Sequence, residues 1–381
     1  MSASYASILR AKIGKFSLLA TARFSSKCPP CGYTHAMSLR SSASVGVGVG
    51  ADRPTLADIA AAEIVSVATV SKVLNDRKGV SPETRERVAK ALEKAGYQKR
   101  GSERLYTPQI ELVFGSLAGE WAIELIRGAS RVAVANDLTL SVVESGVRFG
   151  VAPGWARAVA QRRPAGVILV ASELPESNRA QLHSRNIPFV IVDPSGDPPP
   201  DAPSVGSTNW AGGVAAVRHL IDFGHRRIGL ISGPSDLMAT RARVAGFRSA
   251  MEAAELPIDP DLVVSDEFQD ETGPEAALRL FARDGRPTAI FATSDLKALG
   301  VYAAARELGI RIPEELSVVG YDDLSLARWA GPPLTTIRQP LADMAAAAAD
   351  LIIRDRKNLT ISTDRIELAT SLIQRESTAR F

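Results

Sequence analysis

Cysteine is nearly absent from this 381-residue chain: Cys28 and Cys31 are the only two. A single pair supplies neither a disulfide framework nor the four ligands of structural zinc, so no metal is expected. Histidine is almost as scarce, with His35, His183, His219 and His225 alone. No Gly-x-Ser-x-Gly elbow and no phosphate-binding P-loop occurs, and the Gly46–Gly50 run precedes no strand pattern. These gaps argue against an enzyme and give no reason to expect a cofactor. No run of 18 apolar residues exists, so no membrane partner is expected.

Acidic residues are missing from one end. Residues 1–51 carry six Lys or Arg and no Asp or Glu. Residues 52–107 add a further +3, and a chain total of +3 then leaves −6 on residues 108–381. A basic third joined to an acidic body points to polyanion binding at one end only. The first stretch is rich in Ser, Ala and Arg and closes on Val-Gly repeats. Its composition resembles a transit peptide, but the expectation is a disordered leader, or an extension from an early start codon with Met37 as the better start.

What the chain does have begins at Pro54. Thr55 and Asp58 are spaced as a capping box that opens an apolar run. Ser66 can cap a second helix, in which Val70, Val73 and Leu74 are the buried positions and Val67, Ala68, Thr69, Ser71 and Lys72 lie among them. Two short capped helices joined by a tight turn are the geometry of a helix-turn-helix, whose second helix enters the DNA major groove. Lys72 can donate to guanine, while Val67 and Ala68 offer only apolar contact to thymine methyls. The hydroxyls of Thr55, Ser66, Thr69 and Ser71 suit phosphates, although Thr55 and Ser66 are equally suited to capping alone.

From residue 110 onward, short apolar runs alternate with helical patterns. Ile110–Phe114, Leu138–Val143, Gly166–Val170 and Phe189–Val192 form one set; Ile228–Ser232, Leu262–Ser265, Ala289–Ala292 and Leu316–Gly320 form another. Continuously apolar strands separated by helices imply parallel sheets buried on both faces, with ligands at the strands' carboxyl ends. The expected fold class is an all-α helix-turn-helix headpiece followed by α/β, as two doubly wound parallel-sheet subdomains. The expected division is a leader at 1–51, a headpiece at 52–98, a hinge at 99–109 and an effector body at 110–381.

Several phrases in register resemble one family. Asp58-Ile-Ala-Ala61, Ser66-Val-Ala-Thr-Val-Ser-Lys-Val-Leu-Asn75, Val80-Ser-Pro-Glu-Thr-Arg-Glu-Arg-Val88 and Gly96-Tyr97 look like the headpiece of LacI/GalR regulators. Gly224-His-Arg-Arg-Ile-Gly229, Arg243-x-x-Gly246-Phe247, Ser317-Val-Val-Gly-Tyr-Asp-Asp323 and Pro333-Leu-Thr-Thr-Ile-Arg-Gln339 resemble its effector domain, itself similar to periplasmic sugar-binding proteins. The resemblance spans roughly 52–376. It implies a homodimeric cytoplasmic regulator, held at the nucleoid by a double-stranded DNA operator and controlled by a small sugar effector.

The same resemblance assigns candidate residues. Val67, Ala68 and Lys72 fall at base-reading positions. Trp121, Arg243, Phe268, Ser294, Asp322 and Gln339 fall at cleft positions, with Ser294 replacing an expected Asn. Asn209-Trp210 is a weaker cleft candidate, since Trp210 could equally be core. Two departures stand out. Ile64 occupies a turn position where the family has Gly or Asn. The hinge lacks the family's Pro-Asn start, leaving Leu105 as the one minor-groove wedge and Lys99, Arg100 and Arg104 as a basic arm. The competing reading, an exported periplasmic-type sugar-binding protein, would require a mature chain truncated before residue 108.

Overall fold

A computed structural model describes residues 54–74, 77–95, 106–117, 119–265, 274–283, 285–358 and 363–381. The leader with its cysteine pair, Gly96-Tyr97, the hinge residues Lys99, Arg100, Arg104 and Leu105, and Phe268 lie outside the described residues. The chain separates into two units, one carried, among the described residues, by three N-terminal helices and one containing everything from Tyr106 onward.

The first unit holds α1 (Leu56–Ala62), α2 (Val67–Leu74) and α3 (Pro82–Lys94). Each start is written locally. The Thr55 hydroxyl accepts from the Asp58 amide at 3.2 Å, and the Asp58 carboxylate accepts from the Thr55 amide at 2.7 Å, closing the expected capping box. Ser66 accepts from the Thr69 amide at 3.1 Å, and Ser81 accepts from the Thr84 amide at 3.3 Å ahead of Pro82 at the first helical position. Ile59, Val70, Val73, Val88 and Leu92 are buried, and Arg87 ties α3 to α1 through the Glu63 carboxylate and carbonyl, both at 3.1 Å.

The second unit has two lobes. In chain order the first contributes β1 (Thr107–Phe114), α4 (Gly119–Ala135), β2 (Thr139–Glu144), α5 (Trp155–Arg162), β3 (Pro164–Val170), α6 (Glu176–Ser184), β4 (Phe189–Val192) and β5 (Ser204–Ser207). The second contributes α7 (Asn209–Asp222), β6 (Ile228–Ser232), α8 (Met238–Ala253), β7 (Val263–Ser265), α9 (Pro274–Phe281), β8 (Ala289–Ala292), α10 (Asp295–Leu308), β9 (Ser317–Asp322), α11 (Ser325–Trp329) and β10 (Thr335–Arg338). The chain then returns: α12 (Leu341–Asn358) packs on the first lobe's core, β11 (Arg365–Leu368) joins the first sheet and β12 (Ser371–Ile373) the second.

The sheets run β11-β5-β4-β3-β1-β2 and β12-β10-β9-β8-β6-β7, and every pairing is parallel except β10 with β12. Two doubly wound sheets are thus present, but each has six strands where the apolar runs implied four. The missed strands β5, β10, β11 and β12 are three or four residues long, and their sequences (Ser-Val-Gly-Ser, Thr-Thr-Ile-Arg, Arg-Ile-Glu-Leu, Ser-Leu-Ile) lack a continuous apolar run. Strand β1 starts at Thr107, inside the stretch expected to be hinge, with the Thr107 hydroxyl donating to the Arg162 carbonyl at 2.6 Å. Leu262 ends a 3₁₀ turn begun at Pro260, so β7 opens one residue later than expected. No described helix is long and apolar enough to cross a membrane.

Candidate functional site

On α2 the side chains divide cleanly. At 100° per residue, Val70, Val73 and Leu74 fall on one side and are buried, whereas Val67, Ala68, Ser71 and Lys72 fall on the other. Val67, Ala68 and Lys72 are exposed, as a base-reading face requires. The hydroxyls are less free than the sequence suggested: Thr55 donates to the Asp58 carboxylate at 2.7 Å, and the Ser66 and Thr69 hydroxyls bond one another at 2.9 Å. Thr55's bonds hold the Asp58 carboxyl below its usual range, stabilising the charged form at a helix N-terminus. Ile64, in the turn, adopts φ of 55° with its side chain 91% exposed.

In the second unit, one polar cluster forms where β4, β5, β9 and β10 end. Its centre is Arg243, which stands in the second turn of α8. Two glycines bring it there. A Cβ on Gly213 of α7 would lie 2.5 Å from the Arg243 carbonyl oxygen, and one on Gly246 of α8 would lie 2.3 Å from the Trp210 carbonyl oxygen. Only glycine at both crossing points lets the helices approach this closely. Arg243 Nε then donates to Asn209 Oδ1 at 2.8 Å and Nη1 to the Thr293 carbonyl at 2.7 Å, with the guanidinium 3.7 Å from the centre of the Tyr321 ring.

Asp322 is the last residue of β9 and lies 3.6 Å from Arg243 Nη1. Asp322 and Asp323 both have positive φ, 113° and 58°. The turn is held by its surroundings: the buried Asp323 carboxylate accepts from Arg338 at 2.7 Å and from Arg375, and the Leu324 amide donates to Asp295 at 2.8 Å. Gln339 donates through Nε2 to Asp322 at 2.8 Å and accepts through Oε1 from Ser207 of the first lobe, also at 2.8 Å. A continuous path from Ser207 through Gln339 and Asp322 to Arg243 therefore links the lobes.

Three carboxyls in this region are displaced in the same direction. Burial pushes Asp322 up to about 6, against the pull of the Arg243 guanidinium and the Gln339 amide. Burial and the neighbouring Asp322 charge push Asp295 well above its ordinary value. Burial also raises Asp193, opposed by Arg243 and by a hydrogen bond from Asn209. One arginine thus offsets two of the three, Asp322 and Asp193, an arrangement suited to accepting hydrogen bonds from a polyhydroxylated ligand without a large net charge.

The remaining candidates are placed as follows. Ser294 caps α10 by accepting from the Lys297 amide at 3.3 Å, and it adjoins Thr293, whose carbonyl Arg243 holds. Trp121 is half-buried on α4 against the first lobe's core and is not bonded into the Arg243 cluster. Trp210 is 51% exposed and is not core. Residues that the sequence reading passed over are Asp193, Ser207 and Asp295. Glu120 was also missed; it crosses to the second lobe by accepting from the Ser325 hydroxyl at 2.8 Å and the Leu326 amide at 3.2 Å.

A capped three-helix headpiece joined to a two-lobed α/β body with a polar cluster at its strand ends is the architecture of a DNA-binding regulator. Residues 55–99 match the family described as bacterial regulatory proteins, lacI family, and residues 217–378 match the periplasmic binding protein-like domain. The HTH-type transcriptional repressor PurR of Escherichia coli O139:H28 is 32% identical over 330 residues, covering 85% of this chain and 97% of the relative. A solved complex of the transcriptional regulator CelR with cellobiose is 31% identical, with a TM-score of 0.63 over 85% of this chain and all of that one. The lac repressor dimer bound to operator and the anti-inducer ONPF is 25% identical, with a TM-score of 0.64 over 85% and 99%. The chain belongs to the LacI family of transcriptional regulators.

Proposed function

We propose that the protein is a cytoplasmic repressor that binds a roughly palindromic operator as a homodimer and releases or grips it according to a sugar or glycoside in the cleft between its lobes. The observation that carries this reading is the Ser207–Gln339–Asp322–Arg243 path, because a ligand bonded to it engages both lobes and so changes their relative stability. The related structures support it: one holds cellobiose, another is a dimer on operator, and the PurR relative is a repressor by name.

In this reading residues 1–51 are a leader, 52–98 the headpiece, 99–109 the hinge and 110–381 the effector body. Val67, Ala68 and Lys72 read bases. Thr55, Ser66, Thr69 and Ser71, with the arm Lys99, Arg100, Arg104 and Leu105, contact the backbone and minor groove. Trp121, Arg243, Phe268, Ser294, Asp322 and Gln339 line the effector cleft. Thermal-shift screening of mono- and disaccharides against the full chain tests the reading, since a ligand that binds the folded state raises its melting temperature. A sugar that raises it must also change operator affinity; sugars that bind with no effect on DNA would refute the coupling.

A further inference from the structure

Tyr106 and Thr107 lead the chain into the body at a place where the sheet alone does not hold it. Strand β1 pairs with β3 through Thr107 with Pro164 and again from Ile110 with Gly166, with a shift of register between the two. Pro164 has no amide hydrogen, so it offers the ladder no donor where β1 begins. Other groups supply the attachment. Four successive carbonyls at the turn from α5 into β3 are each occupied. Those of Arg162 and Arg163 accept from the Thr107 hydroxyl and amide, both at 2.6 Å. Those of Pro164 and Ala165 accept from Arg356 Nη2 at 2.9 Å and Nε at 2.5 Å. The Arg356 guanidinium also lies 4.6 Å from the centre of the Tyr106 ring, within the range of a cation–π contact.

Both jaws of this clamp are fixed. Arg356 stands in the last turn of α12, where its charge also suits the helix dipole. Ile352, one turn earlier on the same face, meets β3 so closely that a Cβ on Gly166 would lie 2.4 Å from its Cγ2. At the other end of α12, a Cβ on Gly128 of α4 would lie 1.9 Å from the Ala342 carbonyl oxygen. The α5–β3 turn is braced by Arg162, which donates to both oxygens of the buried Glu111 carboxylate at 2.6 and 2.8 Å. Helix α12 also begins two residues after Gln339, so one helix runs from the path between the lobes to the entry of the chain. An apolar residue at 356 would continue the packing of Ile352; the planar fork of an arginine adds a grip on Tyr106 and on main-chain acceptors.

We propose that Arg356 is a positioning residue for operator binding. By gripping Tyr106 it fixes where the segment joining headpiece and body starts, and hence the half-site spacing that a pair of headpieces can span. The inference rests on the reading of the protein as a homodimer on a palindromic operator. One added base pair moves a half-site by roughly 3.4 Å and rotates it by about a tenth of a turn, which a firmly anchored headpiece resists and a loosely anchored one follows.

The test uses the full chain. An operator is selected from duplexes in which two inverted half-sites are randomised and the number of base pairs between them is varied. Affinity is then measured for the selected spacing and for one base pair more or fewer. The wild type should lose about tenfold or more on either change, whereas Arg356→Met should lose about threefold or less. Tyr106→Leu, which keeps an apolar side chain against the first lobe's core, should relax the preference in the same way, and it carries the test if melting curves show Arg356→Met unfolded. Hydrogen exchange of the Thr107 amide should be about tenfold or more faster in both variants. Exchange equal to the wild type's would show that the clamp does not hold the chain. A spacing preference as sharp in both variants as in the wild type would show that the clamp does not position the headpieces. Either result overturns the proposal while leaving the repressor reading intact; a wild type that selects no operator refutes that reading and the proposal with it.

Discussion

Replacing Ile64 with glycine or asparagine should make the headpiece more stable. Helix α1 ends in a Schellman arrangement: the Ile64 amide donates to the Ala61 carbonyl at 3.3 Å and the Val65 amide to the Ala60 carbonyl at 3.0 Å. That motif puts Ile64 at φ of 55°. The same six-to-one bond recurs after other helices, at Leu138, Ile187, His225, Leu256 and Ile310, and the positive-φ residues before them are Asp137, Asn186, Gly224, Glu255 and Gly309. Among these positions Ile64 alone is β-branched. A left-handed conformation costs an L-residue roughly 1–2 kcal/mol. With the side chain 91% exposed, truncation forfeits little burial. Glycine returns roughly 0.5–1 kcal/mol to the unfolded chain's entropy, so the net gain is about 0.5–1 kcal/mol. Hydrogen exchange of the α1 and α2 amides in the full chain should then slow roughly two- to fivefold for Ile64→Gly, and at least as much for Ile64→Asn. Ile64→Ala, which keeps the Cβ, should gain less. Faster exchange in the glycine and asparagine variants would show that Ile64 stabilises the headpiece by a contact that its exposure does not reveal.

Exchanging Val67 and Ala68 for Tyr and Gln should change which operator is selected from a randomised library, each lost good base contact costing about 1–3 kcal/mol; an unchanged preference would remove α2 from the reading role. Burial lowers the His219 imidazole's affinity for protons, so its contribution to stability is intact above its unfolded value of about 6.5 and is lost as pH falls from there through its lower folded value. The melting temperature of His219→Gln should accordingly depend less on pH between about 7 and 5 than that of the wild type, and identical slopes would refute the assignment. Arg243→Ala and Asp322→Ala should each abolish the sugar response while leaving operator binding; release of DNA at wild-type sugar concentrations in both would place the effector site elsewhere. Because burial pushes Asp322 up to about 6, sugar affinity should fall as pH drops through that value, and a pH-independent affinity would refute a role for the Asp322 charge.

The helices of the headpiece were legible because their ends are written in neighbouring residues. Thr55 with Asp58, and Ser66 with Thr69, are local chemistry at fixed spacing. The continuously apolar strands were legible for the same reason, since Phe189–Val192 and Ala289–Ala292 are buried on both faces and contain nothing else. The strands of mixed polarity were not, because their identity comes from partners. Arg365–Leu368 is a strand by virtue of pairing with Ser204–Ser207, more than 150 residues earlier, and four residues of polar-apolar alternation are too few to announce that on their own. Nor did composition reveal that α12, following a second-lobe strand, belongs to the first lobe's core.

The candidate site divides along the same line. Arg243 and Gly246 sit three residues apart because the arginine must emerge where two helices nearly touch, so the phrase is a packing requirement and a chemical one at once. Such a phrase survives as a recognisable string. Asp193 and Ser207 reach the cluster only through the crossing of the chain between lobes, and each stands alone in its own segment, after Val192 and before Thr208. A sequence names a residue's neighbours along the chain, whereas these two acquire their role from Asn209, Arg243 and Gln339. Their identification therefore had to wait for the topology, and the same topology explains why a cluster drawn from residues 193 to 339 has bonds in both lobes.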